Sequence, residues 1–282
     1  MLRKITLLAA STVLISGLAA CGGTDTSSAD NPYNLITPGT IIAGTQPDQP
    51  PFVSITQGGA KPEGFAIDLA EEAAKRLGLK IEYKVTNLTG VLAGISANQY
   101  DMGVAGFVMT EERRKSVDFV KPITWGFTAV MTRTDSKAAA LTDFAGKKVG
   151  VVSGAIQESF AKANMPGISL TAFHDRPAAI AQLLSGGIDA FVVGGSQAEE
   201  YIKKEKSLKV AVQADNPDGT SLPVKKGNTA LGNALDTKID DMVADGTFMK
   251  LYEKWFKTLP LSPKIVEFRP GLAGAIKSGA TG

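Results

Sequence analysis

Residues 100–122 read YDMGVAGFVMTEERRKSVDFVKP. The apolar run 102–109 predicts a buried strand that breaks at Gly106. Thr110 is a favourable helix N-cap, and Glu111 and Glu112 would then lie in the first helical turn, where the helix dipole favours carboxylates. The stretch therefore predicts a strand that passes through a turn into a helix. In open α/β sheets, such turns at the carboxyl ends of strands border the ligand cleft.

Arg113 is the candidate binding residue of this turn, because it follows the predicted N-cap within the first helical turn. An Arg can hold a carboxylate through two parallel N–H···O bonds, which a Lys cannot match. The alternative is a solvated Arg on a surface helix, and this stretch alone does not decide between the two.

The chain on either side of this stretch repeats one order of elements. Apolar periodicity and its start and stop signals predict strand, helix, strand, helix, strand, first before residue 107 and again between residues 147 and 193. The predicted strands are 39–45, 80–85, 101–106, 147–152, 168–173 and 190–193, and the predicted helices are 67–77, 88–95, 156–163 and 177–184. This order predicts two α/β lobes of similar construction, each built on a mostly parallel sheet with helices on both faces.

The remainder of the chain continues with a predicted helix at 197–204, a strand at 208–212 and an extended segment at 221–225. Two amphipathic helices follow, separated by Gly246. Asp240 and Asp241 are expected on the solvated face of the first of these helices. Residues 259–282 contain Pro260, Pro263 and several glycines and alanines, and we expect this C-terminal tail to be poorly ordered.

The composition is that of an ordinary globular protein, with 282 residues, 44% of them hydrophobic, 21% charged, and a formal net charge of +2. The length predicts two domains, and the balanced charge gives no indication of nucleic-acid binding. Cys21 and His174 are the only Cys and His of the sequence, which excludes internal disulfides and the usual zinc ligand sets. A Ser-His triad would need His174, and no G-x-S-x-G motif is present. We expect no metal and no cofactor.

Residues 1–20 predict a secretory signal peptide, since Arg3 and Lys4 precede an apolar stretch that is too short for a comfortable membrane span. The sequence LAAC at 18–21, followed by two glycines, resembles the lipobox of bacterial lipoproteins. That resemblance implies that Cys21 becomes the lipidated first residue of the mature chain. The alternative is a plain signal peptide with an incidental Cys. The small and polar residues that follow predict a flexible tether over 21–37.

Six segments carry a resemblance to a known family. They are GTQPDQPPF at 44–52, GFAIDLAEEAAKRLG at 64–78, YDMGVAG…TEERRKSVDFVKP at 100–122, FAGKKVGVVSG at 144–154, SGGIDA at 185–190 and ADGTFMKLYEKWF at 244–256. Together they span nearly all of residues 38–257. In this order they resemble the solute-binding proteins of bacterial ABC importers, in the branch that carries polar amino acids (family 3).

The resemblance implies a two-lobed α/β fold of the periplasmic-binding-protein type with two hinge crossovers, near 125–128 and 220–223. Lobe I would comprise residues 38–126 and 220–258, and lobe II residues 127–219. A small carboxylated solute would bind between the lobes and close them. The protein would be a monomer outside the cytoplasm, anchored to the cell membrane by its lipid, and it would dock on an ABC permease.

The resemblance also implies ligand-binding residues. The Arg of the family's TxER motif holds the ligand carboxylate, and it matches Arg113. The other positions expected at the ligand are Gly106, Phe107, Val108, Gln49, Phe52, Leu88, Trp125, Ala155, Ile156 and Gly194. Phe52 is expected mainly to anchor the proline loop, Trp125 either covers the ligand or packs at the hinge, and Phe107 is undecided between core and ligand.

The sequence departs from the family at the end of the site that takes the α-ammonium. Gln46 stands where an acid often contributes, Gln49 and Leu88 replace aromatic residues, and Gly194 stands where the family has the acid that takes the ammonium. A buried ammonium without a carboxylate or several acceptors is very costly. The carboxylate end of the site is therefore kept, while the ammonium end is lost or moved, unless the chain is misaligned by one residue at this glycine-rich strand end.

Two other functions stay open. The fold family includes a few extracytoplasmic cyclohexadienyl dehydratases, and Asp48, Glu63 and Glu111 are the carboxylates that would have to approach the cleft for acid–base chemistry. A ligand-sensing module is the other alternative. Such modules usually continue into a transmembrane helix, and no such stretch follows Trp255.

Overall fold

The computed structural model describes residues 31–55, 61–257 and 259–279, so the predicted signal peptide and Cys21 lie outside the described residues. The strands are β1 (Thr40–Thr45), β2 (Asp48–Gln49), β3 (Val53–Ser54), β4 (Lys80–Val85), β5 (Met102–Gly103), β6 (Phe107–Val108), β7 (Val117–Phe119), β8 (Phe127–Arg133), β9 (Lys148–Val152), β10 (Ser169–Phe173), β11 (Ala190–Gly194), β12 (Leu208–Asp215), β13 (Thr220–Ser221) and β14 (Pro223–Lys225). The helices are α1 (Phe65–Arg76), α2 (Leu88–Ser96), α3 (Glu111–Arg114), α4 (Ile156–Asn164), α5 (Arg176–Ser185), α6 (Gly195–Lys204), α7 (Thr229–Ala244), α8 (Thr247–Phe256) and α9 (Ala273–Gly279). Short 3₁₀ helices occupy Leu141–Phe144, Pro263–Glu267 and Pro270–Leu272.

Two five-stranded sheets organise the chain. The first sheet has the order β4-β1-β5-β14-β7, and the second has the order β10-β9-β11-β8-β12. In the first sheet β14 is antiparallel to both of its neighbours, and in the second β8 is, while the other pairings are parallel. Four strands of each sheet therefore run in one direction, which confirms the predicted α/β class with two mostly parallel sheets.

The core beneath the first sheet is aromatic. The ring of Phe65, at the start of α1, meets the rings of Phe248, Tyr252 and Phe256 of α8 edge to face, with centroids 5.7, 5.6 and 5.3 Å apart. Such pairs stabilise a core beyond the area they bury. This packing fixes α8 against α1 and places one end of α8 beside the cavity described below.

The opening stretch differs in one respect from its prediction. Residues 102–109 are buried as expected, but they form two short strands, β5 in the first sheet and β6 paired with β13. Between them, the Gly106 N–H donates to Gln49 Oε1 at 2.8 Å, and the Gly106 carbonyl accepts from Gln49 Nε2 at 2.9 Å. The strand breaks here because a side-chain amide takes both backbone groups that a neighbouring strand would otherwise pair.

The chain crosses between the sheets twice, once between β7 and β8 and once between β12 and β14. The two crossings are hydrogen-bonded to each other. The Thr220 N–H donates to the Thr124 carbonyl at 2.8 Å, and the Thr220 carbonyl accepts from the N–H groups of Ile123 and Thr124 at 2.8 and 3.3 Å. Both connections between the sheets therefore lie side by side.

The predicted disorder of the C-terminal tail is wrong for residues 259–276, because this segment packs against the elements around the first sheet. Arg269 is only 1% exposed, and its guanidinium donates to the carbonyls of Lys121 and Pro122 and to the carboxylates of Asp236 and Asp240. Asp240 pairs with Arg269 but keeps 41% of its side chain exposed, which agrees with the expectation of a solvated helix face there. The periodicity of apolar residues could not predict the ordering of this segment, because it depends on a single buried cation whose acceptors are distant in sequence.

Candidate functional site

A cavity of about 310 Å³ lies between the two sheets, within the range of small-molecule sites. Its walls come from the first sheet and the elements packed on it (the first sheet's side), from the second sheet and the elements packed on it (the second sheet's side), from the crossings and from the C-terminal segment. The lining residues are Gln49, Phe52, Leu88, Gly106, Val108, Arg113, Thr124, Thr220, Tyr252 and Phe256; Phe127, Ala155, Ile156, Gln157, Arg176, Gly194, Gly195, Ser196, Gln197 and Asp215; Trp125, Gly126 and Asn216; and Leu259, Pro260, Ser262 and Lys264.

Arg113 brings an uncompensated positive charge to this cavity. Thr110 caps α3 by accepting from the Arg113 N–H at 3.3 Å, as its N-cap position predicts. The guanidinium donates to the carbonyls of Val108 at 2.9 Å and Gly154 at 3.1 Å. Among the described residues no carboxylate lies within ion-pair distance of it, and burial lowers the pKa of Arg113 to about 10, so the side chain stays protonated at neutral pH. With three of its five N–H donors left, it can bind an anion.

One of the two carbonyls that accept from Arg113 is that of Gly154, which lies in a turn that requires glycine. Gly154 has φ 71°, and a Cβ there would come within 2.4 Å of the Thr89 side chain. Its N–H donates to Glu158 Oε2 at 3.0 Å, which ties the turn to the first residues of α4. The turn after β9 therefore reaches across the cavity to α2 and Arg113, joining the sides of the two sheets.

A second connection across the cavity is an ion pair between Arg176 and Asp48. The Arg176 guanidinium lies 3.1 Å from Asp48 Oδ1 and 3.2 Å from Gln46 Oε1, and the Arg176 backbone N–H donates to Asp48 Oδ2 at 2.8 Å. The two charged side chains are only 5% and 13% exposed. This pair holds the proline-rich loop of the first sheet's side against the start of α5, which belongs to the second.

The amides of Gln46 and Gln49 extend this network. Gln46 Nε2 donates to Gln49 Oε1 at 2.9 Å, and Gln49 in turn holds Gly106 by the two bonds described above. Gly106 has no room for a side chain, because a Cβ would lie 2.8 Å from the Phe52 ring. Two neutral amides thus occupy the region where the sequence resemblance expected an acid and an aromatic residue.

Within the described residues, the cavity lining holds three cationic side chains and a single carboxylate. Arg176 is paired with Asp48 behind the wall, which leaves Arg113 and Lys264 as the cations and Asp215 as the carboxylate. Gly194 offers no acid, and the side chains that follow it along the cavity wall are the neutral Ser196 and Gln197. An ammonium at that wall would meet hydroxyl and amide acceptors rather than a charge.

Ten of the eleven residues expected at the ligand line the cavity. They are Arg113, Gly106, Val108, Gln49, Phe52, Leu88, Trp125, Ala155, Ile156 and Gly194. Phe107 does not, and its side chain is fully buried. Successive residues of a strand point to opposite faces, so Phe107 enters the core while Val108 borders the cavity.

Trp125 and Phe52 each line the cavity and also pack against other parts of the protein. Trp125 lines the cavity, and its indole N–H donates to the Asn216 carbonyl at 3.0 Å, which packs it at the crossing. The Phe52 ring lines the cavity and meets the Phe256 ring edge to face at 5.3 Å.

The sequence missed Arg176 and the C-terminal part of the lining. The only local signal at Arg176 was its place after Asp175, which caps α5 by accepting from the Ala178 N–H at 2.8 Å. For the lining residues after 258, the proline-rich composition pointed away from order. No helix in the described part of the chain combines the length and apolar character needed to cross a bilayer. Nor do the described residues include a group of three or more His, Cys, Asp or Glu side chains that could hold a metal ion.

Comparison with known proteins gives consistent matches. The family model for bacterial extracellular solute-binding proteins, family 3, matches residues 41–258. The chain is 31% identical to the L-cystine-binding protein TcyJ of Escherichia coli (strain K12), over 77% of this chain and 83% of that protein.

Solved structures agree with the sequence matches. An ancestral arginine-binding protein bound to arginine is 34% identical with a TM-score of 0.73, covering 77% of this chain and 98% of that one. AncCDT-1, an ancestral amino acid-binding protein described as a precursor of cyclohexadienyl dehydratase, is 31% identical with a TM-score of 0.72, covering 77% and 96%. The family model spans the greater part of this chain, including both sheets and most of the cavity wall, and the chain therefore belongs to the bacterial extracellular solute-binding proteins of family 3.

Proposed function

We propose that this protein is the extracytoplasmic receptor of an ABC importer, and that it captures an amino acid or a closely related small carboxylate in the cavity between two lobes. The observation that carries this proposal is the Arg113 guanidinium, which faces the cavity with donors to spare and no acidic partner among the described residues. The names of the relatives support the ligand class, since they are described as binding L-cystine and arginine.

In this proposal, lobe I comprises residues 38–126 and 220–258 and lobe II residues 127–219, and ligand favours their closed arrangement by contacting both. Arg113 holds the ligand carboxylate. Gln49, Phe52, Leu88, Trp125, Ala155 and Ile156 shape the remainder of the site. The closed form docks on the membrane permease, and the lipid on Cys21 keeps the monomeric receptor at the membrane.

The carboxylate assignment is tested by calorimetric titration with a panel of amino acids and organic acids. Truncating one partner of a desolvated charge pair costs about 2–5 kcal/mol, whereas a micromolar affinity totals about −8 kcal/mol. Arg113→Ala should therefore nearly abolish binding of the best ligand.

Arg114→Ala is the matched control, because Arg114 is exposed and its guanidinium lies over the Phe119 ring, away from the cavity. Unchanged affinity in Arg113→Ala would refute the assignment. Substituting Cys21 with Ser should release the protein from the membrane fraction, and continued membrane retention would refute the anchor.

A cyclohexadienyl-dehydratase-like enzyme is the second candidate, favoured by the similarity to AncCDT-1. AncCDT-1 is itself described as an amino acid-binding protein, and among the described residues Asp215 is the one carboxylate in the cavity lining. Both observations support capture over turnover. Incubating the protein with a cyclohexadienyl carboxylate and following its conversion by NMR separates the two, since a receptor leaves the compound unchanged.

A further inference from the structure

The C-terminal segment supplies part of the cavity wall. Leu259, Pro260, Ser262 and Lys264 all line the cavity. The family match ends at residue 258, and the ancestral arginine-binding protein covers 98% of its own chain but only 77% of this one. This part of the wall therefore lies outside the region that the family model matches, and it can distinguish this protein's ligand from those of its relatives.

This segment is anchored just after the residues that line the cavity. Arg269 is buried against carbonyls and carboxylates of the first sheet's side, as described above. The Phe268 ring stacks on the Trp125 ring, with centroids 5.8 Å apart and planes at 30°. Because Trp125 is itself hydrogen-bonded to Asn216, the segment is fixed at the crossing, and the position of Lys264 is set by packing rather than by a free terminus.

Lys264 forms a pair of opposite charges with Asp215, the last residue of β12. The Lys264 Nζ lies 3.6 Å from Asp215 Oδ2 and 5.7 Å from the centre of the Trp125 ring. Both side chains line the cavity, and they are 47% and 85% exposed. At this distance and exposure the pair is weak, and each group keeps hydrogen-bonding capacity for a ligand.

An adjacent ammonium and carboxylate are the complement of an amino-acid head group, which carries one carboxylate and one ammonium on the same carbon. We propose that Lys264 and Asp215 form a second subsite, in which Lys264 takes a carboxylate and Asp215 an ammonium. The ligand is then an amino acid with two head groups, one held by Arg113 and the other by this pair. This inference rests on the proposed function.

The test compares ligands that differ by one head group. L-cystine and 2,6-diaminopimelate have two head groups, whereas S-ethylthio-L-cysteine keeps the disulfide and one head group of cystine. Calorimetric titration of the full chain should show that a two-headed ligand binds more tightly than the one-headed probe. Lys264→Met and Asp215→Asn should each lower the affinity of that two-headed ligand about tenfold and leave the one-headed probe unchanged.

Lys250→Met is the matched control, because Lys250 is an exposed lysine of α8 that does not line the cavity. Thermal melting of each variant checks that the fold is kept. Equal affinity for one- and two-headed ligands, or an unchanged preference in both variants, overturns the second subsite and leaves the receptor proposal intact. Absence of binding by any compound, including arginine, overturns both proposals.

Discussion

Replacing Arg176 with Met is expected to weaken ligand binding much more than it weakens folding. The guanidinium bridges the two sides of the cavity through Asp48 and Gln46. Within the described residues, its hydrogen bonds all go to the first sheet's side and none goes to the second sheet's side, to which Arg176 belongs. Its loss therefore acts on the contact between the two sides. If ligand binds the closed arrangement, a weaker contact raises the dissociation constant.

The magnitude follows from the burial of the pair. Removing one partner of a buried ion pair typically costs about 3–5 kcal/mol, because the remaining charge is left without compensation. Here the cost is smaller, since the backbone N–H of residue 176 still reaches Asp48, and opening the cavity lets water reach the carboxylate. We expect the free energy of ligand binding to weaken by about 2–3 kcal/mol, which is about a 30- to 150-fold rise in the dissociation constant.

Three measurements on one set of variants test this reasoning. Calorimetry with the best amino acid of the panel gives the dissociation constant, circular dichroism gives the melting temperature of the ligand-free protein, and X-ray scattering gives its radius of gyration. Arg176→Met should raise the dissociation constant and the radius of gyration, with little change in melting temperature. Arg176→Met combined with Asp48→Asn should recover part of the affinity, because no unpaired charge remains.

Arg133→Met is the control for a loss of comparable hydrogen bonds within one side. The Arg133 guanidinium donates to the carbonyls of Leu183 at 2.7 Å and Ile188 at 3.0 Å, both on the second sheet's side. This variant should lower the melting temperature and leave the radius of gyration unchanged. The reasoning is refuted if Arg176→Met binds within twofold of wild type, or if its ligand-free form melts as early as the Arg133 variant.

Three further changes probe the site and its support. Gly154→Ala should lower ligand affinity at least tenfold, because its Cβ would come within 2.4 Å of the Thr89 side chain, whereas Gly186→Ala, with φ 80° and open space around it, should cost only about 1 kcal/mol of stability and no affinity. Hydrogen bonds from Lys162 and from the Gly154 N–H lower the pKa of the Glu158 carboxyl in the folded protein. The stability that these bonds give the fold is therefore fully present above the pKa of this carboxyl in the unfolded chain, and it is lost as the pH falls through the lower pKa of the folded state. Urea unfolding of Glu158→Gln should therefore differ from wild type at pH 7 and converge with it in strongly acidic solution, and a constant difference would contradict the assignment. Arg269→Met should lower the free energy of unfolding by about 3–5 kcal/mol, because two carboxylates of α7 lose their buried partner, and a change below 1 kcal/mol in urea unfolding would show that the C-terminal segment is not anchored there.

Much of the fold could be predicted from local sequence patterns. Thr110 and Asn87 are helix caps whose side chains accept from backbone N–H groups three residues later, and such signals can be found in a short window of sequence. Arg113 was predictable because the turn that positions it is continuous in sequence. The order of strands and helices also follows from periodicity, which depends only on neighbouring residues.

The remaining features depend on partners distant in sequence. Gln49 breaks a strand by binding Gly106, 57 residues away, and Arg176 pairs with Asp48 across 128 residues. Arg269 orders a proline-rich segment through carboxylates about thirty residues before it. Each depends on one polar side chain reaching one buried acceptor, and no periodicity marks such a residue. The cavity outline and Arg113 could therefore be predicted, but the charged groups that depend on distant partners could not.

The hydrogen bonds between Thr124 and Thr220 limit how the protein can open. Two connections that are hydrogen-bonded side by side can bend as a pair. They resist twisting or sliding against each other, because either motion would break the hydrogen bonds between them. If the lobes of the proposed receptor open, we expect a rotation about this pair of connections, so that the displacement of an atom grows with its distance from them. Trp125 lies at these connections, and in the proposed receptor we expect its intrinsic fluorescence to report the angle between the lobes.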